Sequence, residues 1–171
     1  YESQDVALSR DAKVLDASKR TVIPGLIEAH TFRGVDRPNE RMPSVPFVSS
    51  FDSINPVDPY FEDALRQGIT TMLVLPGNDT MIGGQGCIVR PVGTITEAML
   101  VARDVAMKIS LRPRPGTSRM AHLAALRKEL NEAAEYVKER SEKKDAKTTP
   151  EQEIKREPMT RLLKGIIPAF V

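Results

Sequence analysis

The spacing of apolar and polar positions changes several times along this chain, and each change marks an element. Residues 1–20 are polar, with alternation at Val6–Leu8 and Val14–Leu15 and a turn-like Asp16–Lys19, which predicts two short strands and a turn. Val22–Ile23 run into a Pro24–Gly25 turn, and Leu26–Phe32 reads as a short, mostly apolar strand with its polar groups at the far end. Alternation places His30 and Phe32 on one face of that strand and Thr31 on the other. Residues 33–55 contain Pro38, Pro43 and Pro46 and read as a loop, since proline blocks a helix and removes ladder donors. Such a loop is either a site of substrate contacts or a surface excursion.

Asp58–Pro59 opens a helix well, with Asp as N-cap, Pro at the first helical position and Glu62 and Asp63 in the positive first turn. Phe61, Ala64 and Leu65 share a face, and Gly68 is a stop. Ile69–Leu75 follows as a strand ended by Pro76–Gly77, a strand–helix–strand crossover whose near-continuous apolarity fits a parallel sheet covered on both faces. The next stretch, 76–86, reads as a loop rich in glycine, whose backbone can come close to a ligand or to a neighbouring loop. No Gly-Lys-Ser/Thr follows, so it is not a phosphate loop. Cys87–Pro91 and Met99–Ala102 fit a strand and a helix by periodicity, and Lys108–Leu111 fits a further strand.

Ser118 caps the clearest helix, with Met120, Leu123, Leu126, Leu130, Ala133 or Ala134, and Val137 as its apolar stripe. Arg127 to Glu157 holds 9 basic and 9 acidic residues, a balanced run that reads as a solvated face followed by a charged linker at 138–157. Pro158 then opens a short helix that stops at Gly165, and Ile166–Val171 reads as another strand.

Composition narrows the function classes. A chain of 171 residues with 40% hydrophobic content can bury one ordinary core. Its net charge of +2, from 25 basic and 23 acidic residues, provides no global field for nucleic acid or an anionic membrane. No apolar run approaches the ~20 residues of a membrane span. Cys87 is the only cysteine, which excludes an internal disulfide and any cysteine-based zinc site. The first residue is Tyr1 rather than Met, so the native N-terminus is expected to be missing and the compartment stays open.

Two stretches carry a family resemblance. PGLIEAHTF at 24–32 resembles the PGLIDxHxH signature of the amidohydrolase superfamily of metal-dependent hydrolases, with Phe32 in place of the second histidine. SINPVDPYFEDALRQGITTMLVLPGNDTMIGGQG at 53–86 is similar to the NP-x-DP…GVTT…LPG…IGGQ segment of imidazolonepropionase-like members. The resemblance implies an α/β fold: about the first half of a (β/α)₈ barrel of ~250 residues over 23–171, preceded by a remnant of a small β-domain at 1–22. It also favours a side hairpin for Cys87–Pro91 and Met99–Ala102, and makes Gly83, Gly84 and Gln85 candidates for substrate contact.

Within the family a divalent metal, commonly zinc, is held by the paired histidines, a lysine or glutamate and later ligands. His30 alone maps onto a ligand position. Lys108 is the candidate for the lysine, the alternative being an ordinary lysine leading into a strand. His122 reads as a polar-face histidine on its helix. Half a barrel leaves an unpaired edge and an apolar inner face, so the expected partner is a missing C-terminal half, a complementary chain or another copy. Two function classes stand: an incomplete portion of a hydrolase of C–N bonds, in amides, cyclic amides or peptides, and a degenerate non-catalytic binding or assembly module. Retention of His30 speaks for the first and Phe32 for the second.

Overall fold

Five strands curl into one half-barrel sheet in the computed structural model, which describes residues 9–142 and 150–171. The strands are β1 (Leu26–Thr31), β2 (Ile69–Val74), β3 (Ile82–Val89), β4 (Leu100–Ile109) and β5 (Ala169–Phe170), adjacent in chain order. Helices α1 (Pro59–Arg66), α2 (Thr96–Met99), α3 (Arg119–Glu142) and α4 (Pro150–Leu163) lie between them. β1 and β2 pair in parallel, as do β4 and β5, while β3 is antiparallel to both of its neighbours. The reversed strand departs from a pure barrel repeat for a simple reason. Residues 75–81 are too few for the crossover that a parallel return needs, so the chain must come back antiparallel.

α1 starts as its sequence dictates. The Asp58 carboxylate accepts the Tyr60 N–H at 2.9 Å, Pro59 occupies the first turn, and Gly68 ends the segment at φ +84°. Phe61 and Ala64 then pack with Met72, Val74, Cys87, Val89 and Met99 in one core. A second core lies under α3 and α4, where Met81, Ile82, Met107 and Ile109 meet Leu126, Ala133, Met159 and Ile167. Burial pushes the Cys87 thiol up to about 11 and leaves it a packing residue.

Several elements differ from the pattern-based expectation. The glycine-rich stretch is strand rather than loop from Ile82 onward. Its glycines admit the 43–50 segment, which bonds through Val45 N–H to the Ile82 carbonyl at 2.9 Å and accepts the Gln85 N–H at Val48. A Cβ on Gly84, at φ +100°, would lie 2.5 Å from Val48 Cγ2. β3 and β4 form the side hairpin, and β4 continues unbroken to Ile109, so Lys108 sits at the far end of a hairpin arm.

Among the described residues before Leu26 there is no strand, because Val14 and Leu15 are exposed and find no sheet to pair with; Val6–Leu8 falls outside the described residues. Of the charged stretch 138–157, residues 138–142 continue α3 and 150–157 belong to α4, while 143–149 fall outside the described residues. Pro158 stands inside α4 rather than opening it. The helix hairpin is tied on its surface by Arg140–Glu153 at 2.8 Å and Arg156–Glu132 at 3.5 Å. Such exposed pairs contribute little stability, so the apolar stripe does most of the holding.

His122 corrects the polar-face reading. It is 2% exposed, and its Nε2 lies 2.8 Å from the Ser110 carbonyl, which is an acceptor and so fixes Nε2 as the donor. Met120, expected in the apolar stripe, is exposed instead. The helix is rotated so that His122, Leu126 and Ala133 face the sheet.

Candidate functional site

The inner end of β1 is built around an irregularity. Glu28 pairs with Met72 and Thr31 with Val74, so β1 spends one more residue than β2 over the same length. This lets Glu28 and Thr31, three positions apart, converge on one hydroxyl. Tyr60 on α1 donates to Glu28 Oε2 at 2.7 Å, and Thr31 Oγ1 lies 2.9 Å from the same oxygen. With its proton committed to Glu28, Tyr60 accepts from Thr31, which in turn accepts the Arg33 N–H at 3.2 Å. Burial holds the Tyr60 phenol above its usual value, with the Thr31 bond acting against it and Glu28 with it. The network clamps the strand on the α1 side. It was not legible in the sequence, because Glu28 and Tyr60 meet only through the crossover.

His30, next to Thr31 along the strand, faces away from it, while the irregularity between Glu28 and Thr31 breaks the plain alternation. Its ring centroid is 6.3 Å from that of Phe32 and 5.5 Å from that of Phe170 on β5. Its Nε2 is buried and has no hydrogen-bond partner among the described residues. Burial lowers its pKa from the ordinary 6.5, the charge of Lys108 lowers it further, and Glu28 opposes both. His30 and Lys108 therefore share one electrostatic neighbourhood, although they are far apart in the chain.

Lys108 is 2% exposed and pairs across strands with Phe170, the ring that packs on His30. Its other neighbour strand presents Gly84 as its cross-strand partner, and a Cβ on Gly83 would be 3.7 Å from Lys108 Cβ. Burial lowers the amine below its usual 10.5, and no carboxylate offsets the loss of water. An ammonium or imidazole withdrawn from water without a partner is costly.

The remaining candidates lie elsewhere in function. Gln85 Oε1 accepts from Arg161 of α4 at 3.0 Å, its backbone carbonyl accepts from Ser50 Oγ at 2.9 Å, and Gly84 is pressed against Val48. Gly83 and Gly84 both border Lys108. Phe32 is 46% exposed and belongs to no core, so its ring shields one flank of His30 without being required for packing.

A catalytic zinc takes three protein ligands and an open position. Among the described residues no group of three or more His, Cys, Asp or Glu side chains could hold a metal ion. One imidazole nitrogen and one amine do not fit a complete centre of that kind.

No family model matches this sequence. A stretch of 90 residues, 47% of the chain, is 30% identical to the amidohydrolase tasK of Hapsidospora irregularis and spans 9% of that protein. The crystal structure of an amidohydrolase from Thermotoga maritima MSB8 matches 98% of this chain and 49% of that one, with a TM-score of 0.83 and 25% identity. The chain thus spans about half of its structural neighbour and a small part of its sequence relative. The half-barrel sheet and both comparisons agree: over part of their length, this chain is similar to amidohydrolases in sequence and in fold.

Proposed function

We propose that this chain is the N-terminal half of a metal-dependent amidohydrolase acting on C–N bonds, carrying one part of a divided metal site and inactive by itself. The observation behind this reading is the pairing of an orphaned His30 Nε2 with a buried, uncompensated Lys108 on one face of the sheet. His30 Nε2 is buried without a hydrogen-bond partner beside an amine whose pKa burial lowers, an arrangement that supports a donor for a bound cation or its ligands. The family chemistry is metal-assisted attack of water on an amide carbonyl. This chain's own contribution is to hold His30 neutral through burial and to fix its strand through Glu28, Thr31 and Tyr60.

Phe32 favours a second reading, a non-catalytic module that keeps the fold. Cobalt titration separates the two. The first reading expects weak binding that falls at least tenfold in His30→Ala, with no turnover of amide, cyclic amide or dipeptide substrates by the isolated chain. Binding indifferent to His30→Ala refutes the divided site. Stoichiometric zinc surviving dialysis, together with turnover abolished in His30→Ala, refutes the claim of inactivity.

A further inference from the structure

A cleft that includes neither His30 nor Lys108 lies between the 42–47 segment and the α3–α4 hairpin, and it encloses about 320 Å³. None of the residues lining it belongs to a strand. Met42, Phe47 and Met159 form its apolar wall. Met42 is 55% exposed and Met159 only 3%, so this wall runs from solvent down to the core under the helices. Both signs of charge face the same space: Glu129 and Glu132 come from α3, three positions apart and so on one side of the helix, and Lys155 and Arg156 come from α4. Their formal charges cancel. Two of the polar contacts here are long. Arg156 Nη2 stands 3.5 Å from Glu132 Oε2, whereas Arg140 and Glu153 on the same hairpin close to 2.8 Å, and Ser44 Oγ donates to Glu129 Oε2 at 3.3 Å. Charge-assisted bonds close to about 2.7–2.9 Å, so Glu129 and Arg156 have room to turn toward a ligand.

We propose that this cleft binds a free α-amino acid with an apolar side chain, its ammonium at Glu129 and Ser44, its carboxylate at Arg156, and its side chain against Met42, Phe47 and Met159. Charge complementarity selects a zwitterion. A lone cation would be opposed by Arg156 and Lys155, and a lone anion by Glu129 and Glu132. The apolar wall selects a side chain that gains by leaving water. The volume stands at the lower end of the range for small-molecule sites, about 300–1,000 Å³, which suits one amino acid better than a long peptide. Because the cleft shares no residue with the proposed metal site, either can fail while the other survives.

Calorimetric titration of the whole chain with L-leucine and L-methionine tests it. Saturable binding is expected with a Kd of about 1 mM or tighter, together with a rise in melting temperature when the amino acid is in excess. Glycine, which lacks the side chain, leucinamide, which keeps only the ammonium, and N-acetylleucine, which keeps only the carboxylate, should each bind at least tenfold more weakly. These analogues act on the unaltered chain, so the test stands even where a substitution disturbs folding. Glu129→Gln should weaken leucine at least tenfold, and His30→Ala should bind it as the parent chain does. Absence of saturable binding by both amino acids would overturn the proposal, as would leucinamide or N-acetylleucine binding as tightly as leucine, indifference to Glu129→Gln, or a loss of binding in His30→Ala.

Discussion

Phe32→His is the most informative single change, because it restores the imidazole that the strand places beside His30. The structural cost is small. Truncating a fully buried Phe costs about 3–5 kcal/mol. Phe32 is 46% exposed and outside both cores, and histidine keeps a ring there, so about 1 kcal/mol or less is expected. The gain is larger. Structural zinc sites bind with about 10–16 kcal/mol over four ligands, or ~3 kcal/mol each, so one added imidazole should tighten zinc about 100-fold. Two imidazoles alone correspond to a Kd on the order of 10–100 μM.

The pH dependence has a definite sign. Burial and Lys108 hold His30 neutral to lower pH than usual, whereas a histidine at the half-exposed position 32 would titrate near ~6.5. Zinc affinity should therefore hold above neutrality and fall as pH drops through about 6.5. Isothermal calorimetry with zinc, run in the Phe32→His chain with and without His30→Ala, makes the measurement. If zinc affinity does not rise, or rises equally without His30, the two positions do not converge and the argument from strand period fails.

Three further outcomes are expected. Lys108→Met should raise stability at pH 7 by about 1–3 kcal/mol, since it removes a buried charge that has no carboxylate partner; the folded pKa lies below 10.5, so the gain should shrink as pH rises toward 10.5, and urea melts at pH 7 and 10 check it. His122→Leu leaves the buried Ser110 carbonyl without its donor and should cost about 1–3 kcal/mol in the same assay. Gly84→Ala forces a side chain into the left-handed region against Val48 Cγ2 and carbonyl, and a loss of more than about 1 kcal/mol in thermal melts is expected.

What could be read in advance divides along the range of the interactions. The α1 start, its glycine stop and the β1 and β2 strands are set by local chemistry, and they stand where Asp58–Pro59, Gly68 and Leu26–Thr31 put them. The closeness of His30 to Phe32 follows from the strand period. The errors concern positions whose state is decided by distant partners. Gly83–Gly86 looked like loop because glycine disfavours strands, yet the 43–50 segment needs the space that side chains would fill. His122 looked like a polar-face residue because its acceptor, Ser110, lies on another element. Phe170 beside His30 was invisible for the same reason, since β5 reaches β4 only after two helices.

The β3–β4 hairpin also sets an order of assembly. Its innermost pair, Val89 with Leu100, closes a short loop, whereas Leu26 must find Ile69 and Met107 must find Ala169 across much longer stretches of chain. Loop-closure entropy favours the hairpin over the β4–β5 pair by about 1.5 kcal/mol on length alone. Lys108 is thus carried into place early, on a locally formed scaffold, while His30 arrives only when the crossover through α1 has docked. In refolding of the whole chain, the amine waits for the imidazole, and the last short strand that seats Phe170 is added at the end.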